Sequence, residues 1–134
     1  MAAHLSALVA VAGLPFGHVL GPLIVYLVKG GQSPFVAQHS RASLNYQITV
    51  SLAGIVAIIL GVVGLFVFAM VVSGVPDHSH AADSAALGMV GSWVLIGAVV
   101  VAWLLASIVF IIMGTVAAGE GRPFTYPFSI RFLK

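Results

Sequence analysis

The residue best placed for chemistry is His18, near the middle of a long apolar segment, residues 5–28. An ionisable side chain at membrane depth is a functional candidate. His18 could bind a cofactor, as a ligand of haem iron or of a pigment's magnesium, or it could relay protons. Alternatively, neutral His18 bonds a backbone carbonyl freed by Pro22. The other two apolar segments, residues 44–72 and 88–116, contain no histidine to complete a bis-histidine haem site, and we expect no cofactor.

A second candidate set lies between the last two apolar segments. Asp77, His78 and His80 are spaced closely enough to hold a divalent metal ion. No distant ligand supports such a site, and alternating histidines also suit a pH-sensitive loop or a solvated one.

A polar stripe leads into the second apolar segment. Its members recur at three- and four-residue spacing, with Gln47 beside them: Gln38, Arg41, Asn45 and Thr49. A stripe of this kind lines a water-filled vestibule, bonds another helix, or belongs to a capped interfacial turn.

The C-terminal tail, residues 120–134, has a different pattern. Aromatic and apolar residues alternate with others and predict an extended strip with one aromatic face: Phe124, Tyr126, Phe128, Ile130 and Phe132. We expect this strip to anchor in the membrane interface, with Arg131 and Lys134 toward the lipid headgroups.

Catalytic motifs are missing from the sequence. There is no nucleotide-binding glycine loop, no serine-hydrolase elbow and no zinc-protease motif. The three acidic residues, Asp77, Asp83 and Glu120, all lie outside the apolar segments. General acid–base catalysis therefore has little to work with, and we predict a protein that is not an enzyme.

The composition indicates that the chain resides in a membrane. Of its 134 residues 61% are hydrophobic and only 6% are charged, whereas soluble domains carry about 25% charged residues. The net charge of +2 is spread thinly, which argues against nucleic acid as a partner. The expected partners are the lipid bilayer and other membrane subunits, or further copies of the chain.

The lengths of the apolar segments predict the transmembrane helices, because about 20 apolar residues span a bilayer. We predict one all-α integral membrane domain, residues 1–134, with three transmembrane helices at about 5–28, 44–72 and 88–116. Pro15 and Pro22 should kink or break the first helix, and a re-entrant hairpin is the alternative. Ser33-Pro34 should start an interfacial helix over 33–44 that continues into the second span.

The basic residues set the orientation. They lie in the loop 29–44 and in the tail, whereas the loop 74–87 has none. The positive-inside rule places loop 29–44 and the C-terminus in the cytoplasm of a bacterial inner membrane, and loop 74–87 outside. The N-terminus lies outside if the first segment crosses, and inside if it re-enters.

Five short motifs resemble the DUF4870 family, often labelled Tic20-like after a plastid translocon component. They begin at His4-Leu5-Ser6, Pro15-Phe16-Gly17-His18, Ser33-Pro34-Phe35, Ala42-Ser43-Leu44-Asn45 and Tyr126-Pro127-Phe128. The resemblance implies a small polytopic bacterial membrane protein, with His39, Asn45 and Gln47 in a polar signature. The Tic20 link implies a role in protein transport.

The leading hypothesis is a small structural or accessory subunit of a membrane assembly, or a translocon-like component. The alternatives are a channel or small-solute carrier that uses the broken first helix, and a cofactor carrier that uses His18.

Overall fold

The computed structural model describes residues 1–8, 16–74 and 80–133, with backbone only at 81 and 82. Within these ranges every regular element is a helix, no strand occurs, and the tail after α4 is irregular. Its helices are α1 (Ala2–Leu5), α2 (Gly17–Lys29), α3 (Pro34–Val72) and α4 (His80–Gly119), and a 3-10 turn at Gly30–Gln32 follows α2. The expectation of an all-α chain is confirmed for this part of the sequence.

Residues close in sequence determine where α3 begins and where α4 ends. Pro34 is the first residue of α3, and Ser33 Oγ accepts a hydrogen bond of 3.5 Å from the Val36 amide. Gly121 takes a left-handed φ of 71° after α4, and the Arg122 amide donates to the Ala117 carbonyl at 2.9 Å. The predicted helix start at Ser33 is confirmed.

Helix α4 begins earlier than the sequence suggested. Residues 74–87 were expected to form a loop, but α4 starts at His80. Alanines follow His80, and Asp83 lies in the first turn, where a carboxylate suits the helix dipole. The predicted span 88–116 is therefore the inner part of a 40-residue helix.

The first apolar segment is not one straight helix. Ser6 lies beside Gly21, so close that a Cβ added to Gly21 would come within 2.8 Å of the Ser6 Cβ. In a continuous helix these residues would stand about 22 Å apart along the axis. Pro22 lies inside α2 and is buried, while Pro15 falls outside the described residues. A first span that crosses the membrane is not confirmed.

The chain divides into two compact units. The first comprises Met1–Ala53 and Ser107–Lys134, and the second comprises Gly54–Ala106. Among the residues that the structure describes, the buried ones lie in the first unit, including Leu44, Tyr46 and Tyr126. In the second unit nearly every described apolar side chain is exposed.

Two helices of the described chain, α3 and α4, are long and apolar enough to cross a membrane. Their most apolar stretches are almost entirely exposed, unlike the core helix of a soluble protein. Exposed apolar surface on this scale needs an apolar solvent.

The tail does not form the expected one-sided aromatic strip. Tyr126 is buried, whereas Phe128 is 88% exposed and has a left-handed φ of 59°. A turn at Pro127-Phe128 breaks the period-two alternation, so the rings before and after it face differently.

Candidate functional site

Two histidines and a tyrosine form a hydrogen-bonded chain inside the first unit. His4 Nδ1 lies 2.8 Å from Tyr126 Oη, and His4 Nε2 lies 2.8 Å from His39 Nδ1. His39 Nε2 lies 3.1 Å from the carbonyl oxygen of Arg122. The chain therefore joins α1, the polar start of α3 and the tail.

The carbonyl of Arg122 determines where the protons reside. It can only accept, so His39 must donate from Nε2, which leaves Nδ1 of a neutral ring as an acceptor. His4 must then donate from Nε2 to His39 and accept at Nδ1 from the Tyr126 hydroxyl. Every polar atom of the chain is satisfied with both imidazoles neutral.

Packing supports the same state. His4 is fully buried and His39 is 2% exposed. The Phe35 ring lies 4.4 Å from the His39 ring, between centroids. Tyr126 stacks on Tyr46 at 4.3 Å. A Cβ added to Gly114 would lie 3.0 Å from His4 Nδ1, so this small residue of α4 makes room for the imidazole.

Burial dominates the electrostatics of the chain. It lowers the pKa of His4 to about 4, with help from the charges of protonated His39 and of the N-terminal amine. Burial also lowers the pKa of His39, although the hydrogen bond to Arg122 opposes this. Burial raises the pKa of Tyr126. All three groups are neutral at pH 7, which suits a structural connection.

His4 was not among the residues predicted to form a site. It lies three residues from the N-terminus, outside every helical pattern, and its partners are 35 and 122 residues away in sequence. The only signal was its place in one of the resemblance motifs.

The predicted polar stripe holds the tail. Asn45 is buried, and its side chain accepts from the Leu133 amide at 2.8 Å and donates to the Leu133 carbonyl at 3.0 Å. Thr49 Oγ1 accepts from the Ile130 amide at 3.0 Å. Gln47 is buried, while Gln38 is exposed and Arg41 half-buried. Asn45 and Thr49 thus bond an irregular segment, neither of the partners first considered.

His18 binds a side chain of α3. Its Nε2 lies 2.8 Å from Ser51 Oγ, and Ser51 donates to the Gln47 carbonyl at 2.8 Å. The sequence suggested a carbonyl freed by Pro22 as the alternative to a cofactor, and the observed protein partner is this hydroxyl instead.

The other predicted site residues are separated or fall outside the description. Asp77 and His78 are outside the described residues, and His80 is exposed at the start of α4. Among the residues that are described, no three potential metal ligands form a group. Of the expected anchors, Phe124 is half-buried, Phe132 and Arg131 are exposed, and Lys134 is not described.

Residues 1–133 match the MamF/MmsF family, described as the magnetosome magnetite crystal formation protein family. The chain belongs to this family. The resemblance to the DUF4870 family is therefore wrong, and the Tic20-like role in protein transport loses its basis.

No curated protein and no solved structure matches the chain. Family membership and the two long exposed apolar helices together establish a membrane-associated protein.

Proposed function

We propose that this protein is a non-enzymatic component of the membrane at which magnetite crystals form, and that it acts as a small structural or accessory subunit. The family match over residues 1–133 carries the proposal. The neutral, fully satisfied His4–His39–Tyr126 chain supports a structural role, because it is built to join segments. Asn45 and Thr49 are engaged by the tail, which favours a packed unit over a water-filled vestibule.

Deletion of the gene in a magnetite-forming host tests the function. We expect the size distribution of the crystals, measured by electron microscopy, to shift and to recover with the native chain. An unchanged distribution would contradict the proposal.

Graded expression separates a structural subunit from an enzyme. A structural subunit acts stoichiometrically, so crystal size should follow the amount of membrane-inserted protein across the whole range. Full recovery at a small fraction of the native level would indicate catalytic turnover and contradict a non-enzymatic role. A matched pair completes the test. Asn45→Ala should impair recovery because it releases the tail, whereas Gln32→Ala, at an exposed position, should not.

We further propose that α3 and α4 cross the membrane, and that the first apolar segment enters and leaves at one face. The contacts of His4 with His39 and Tyr126 support this, because they keep the N-terminus with loop 29–44 and the tail. The basic residues then all face the cytoplasm, and loop 74–87 faces the opposite side. The accessibility of single cysteines distinguishes this topology from three crossings.

A further inference from the structure

Two phenylalanines of the first unit have a backbone conformation that large side chains avoid. Phe16 has a φ of 58° and Phe128 a φ of 59°, and they are the two non-glycine residues with positive φ in the part of the chain that the structure describes. A bulky residue rarely adopts this conformation, and it persists where the surrounding structure holds it, often at a functional position. Glycine would be less strained at both positions, so the phenyl rings themselves need a reason to be there.

Neither ring contributes to the core of the unit. Phe16 is 73% exposed and Phe128 is 88% exposed. A phenyl ring gains free energy when it leaves water, and within the chain these two rings do not gain it. Their strained and exposed positions indicate an apolar partner outside the chain.

Hydrogen bonds hold both rings at the same level of α3. The first ring is held through His18, two positions after Phe16, whose Nε2 lies 2.8 Å from Ser51 Oγ. The second is held through the amide of Ile130, two positions after Phe128, which donates to Thr49 Oγ1 at 3.0 Å. These two residues of α3 stand only about 3 Å apart along the helix axis. Two segments far apart in sequence therefore each present an exposed ring at one level.

This level is where the exposed apolar surface of α3 begins. Leu52 is exposed, and from Leu52 to Val72 the helix rises about 30 Å, which matches the hydrocarbon thickness of a bilayer. On the other side of this level α3 carries buried polar residues, including His39 and Asn45. In the proposed topology, the two rings therefore lie where the headgroups meet the hydrocarbon, a depth at which phenylalanines of interfacial segments are buried.

The residues beside Phe128 suit a lipid partner. Ile130 and Phe132 are exposed, and Arg131 is exposed between them. An arginine can lay its apolar stem on hydrocarbon while its guanidinium stays among headgroups and water. The rings also adjoin a helix surface that already needs an apolar solvent, which favours lipid over a second protein.

We propose that Phe16 and Phe128 insert into the lipid bilayer at one interface, as two aromatic anchors that hold the first unit at a fixed depth. The partner is the upper part of the acyl chains and not a particular headgroup. The inference rests on the proposed crossing of the membrane by α3 and α4, and it assigns a role to two residues outside those helices.

Single tryptophans measure the depth of each ring. Phe16→Trp and Phe128→Trp are introduced one at a time into a chain that carries Trp93→Phe and Trp103→Phe. In phosphatidylcholine vesicles with brominated acyl chains, both reporters should lose most of their fluorescence. Bromine near the headgroup end of the chains should quench them more than bromine near the chain ends, and aqueous acrylamide should quench them little.

Two controls accompany the reporters. Gln32→Trp in the same background should be quenched by acrylamide and not by brominated lipid, because Gln32 is exposed in the turn before α3 and about 22 Å of helix separates the start of α3 from Thr49. The native chain is the second control. Its Trp93 and Trp103 lie in α4 and should be quenched by brominated lipid if α4 crosses, whatever the two phenylalanines do.

Two further variants separate lipid contact from a role in the turn. Asparagine adopts a left-handed φ more readily than leucine, so a role in the turn alone would favour Phe128→Asn over Phe128→Leu. Insertion into lipid favours the reverse. In vesicles, trypsin should cleave after Arg131 faster in Phe128→Asn than in Phe128→Leu, with cleavage after exposed Lys29 as the reference.

Three results would overturn the proposal. One is quenching of Phe16→Trp and Phe128→Trp by acrylamide as strongly as Gln32→Trp, which would place the rings in water. The second is shielding of both reporters from acrylamide and from brominated lipid, which would assign the rings to a protein partner. The third is a tail better protected in Phe128→Asn than in Phe128→Leu. Quenching of the native tryptophans by brominated lipid in the same experiment would show that the crossing of α4 stands on its own.

Discussion

Acid should loosen the first unit through His4. The pKa of this imidazole is about 4 in the folded protein, against an ordinary value of 6.5. Between these pH values the unfolded chain binds a proton that the folded chain does not, so stability falls as pH falls from about 6.5 to about 4. One pKa unit corresponds to about 1.4 kcal/mol, and the full difference amounts to about 3 kcal/mol. The lowered pKa of His39 acts in the same direction.

The measurement is the free energy of unfolding in mild detergent at pH 7.5, 6, 5 and 4.5, compared between the native chain and His4→Gln. Glutamine keeps one donor and one acceptor but does not titrate. His4→Gln should therefore be less stable at pH 7.5, and its stability should fall less with acid than that of the native chain.

His80→Gln is the matched control for the same series. His80 is exposed and lies at the start of α4. This variant should keep the native pH dependence. If His4→Gln and the native chain lost the same free energy between pH 7.5 and 4.5, the assignment of a neutral, buried His4 would be refuted.

Four further substitutions test the packing, each by the free energy of unfolding. Gly21→Val should destabilise the protein by about 1–3 kcal/mol, because the new side chain would overlap Ser6. Gly54→Ala, at a position with open space around it, should stabilise the protein by about 0.5–1 kcal/mol. Equal effects of the two substitutions would contradict the close approach of Gly21 to Ser6. Asn45→Ala should cost about 1–3 kcal/mol and expose the tail to trypsin at Arg131, and a tail as resistant as in the native chain would contradict the clamp. Ser40 Oγ is buried with no hydrogen-bond partner among the described residues, so Ser40→Ala should be neutral or stabilising by about 1 kcal/mol, and a clear loss of stability would reveal a partner.

Local sequence signals predicted the two long helices well. Ser33-Pro34 acts on its immediate neighbours, because the serine hydroxyl caps the helix and the proline fixes φ at its first residue. The apolar runs were long enough to need no tertiary information. The start of α4 at His80 was missed because the polar residues around it resemble a loop, although the alanines that follow His80 favour a helix.

Long-range placement was harder to predict. The fold-back of the N-terminus depends on His4 and on the Gly21–Ser6 approach, and neither has a periodic signature. The buried position of Tyr126 depends on the turn at Phe128, which period-two reasoning does not anticipate. The polar stripe was recognised from its spacing. Its hydrogen-bond partners in the tail were not, because they lie more than 80 residues away in sequence. The family match extends over residues 1–133, whereas the short motifs taken alone suggested a different family.

In the proposed topology, the N-terminus, loop 29–44 and the tail share one face of the membrane. The chain has no cysteine, so Ala2→Cys, Thr125→Cys and Ser79→Cys each introduce a single thiol, and Ala2 and Thr125 are exposed. Labelling sealed vesicles with a membrane-impermeant maleimide should modify positions 2 and 125 from the same side and position 79 from the other. Labelling of position 2 together with position 79, opposite to position 125, would contradict the account.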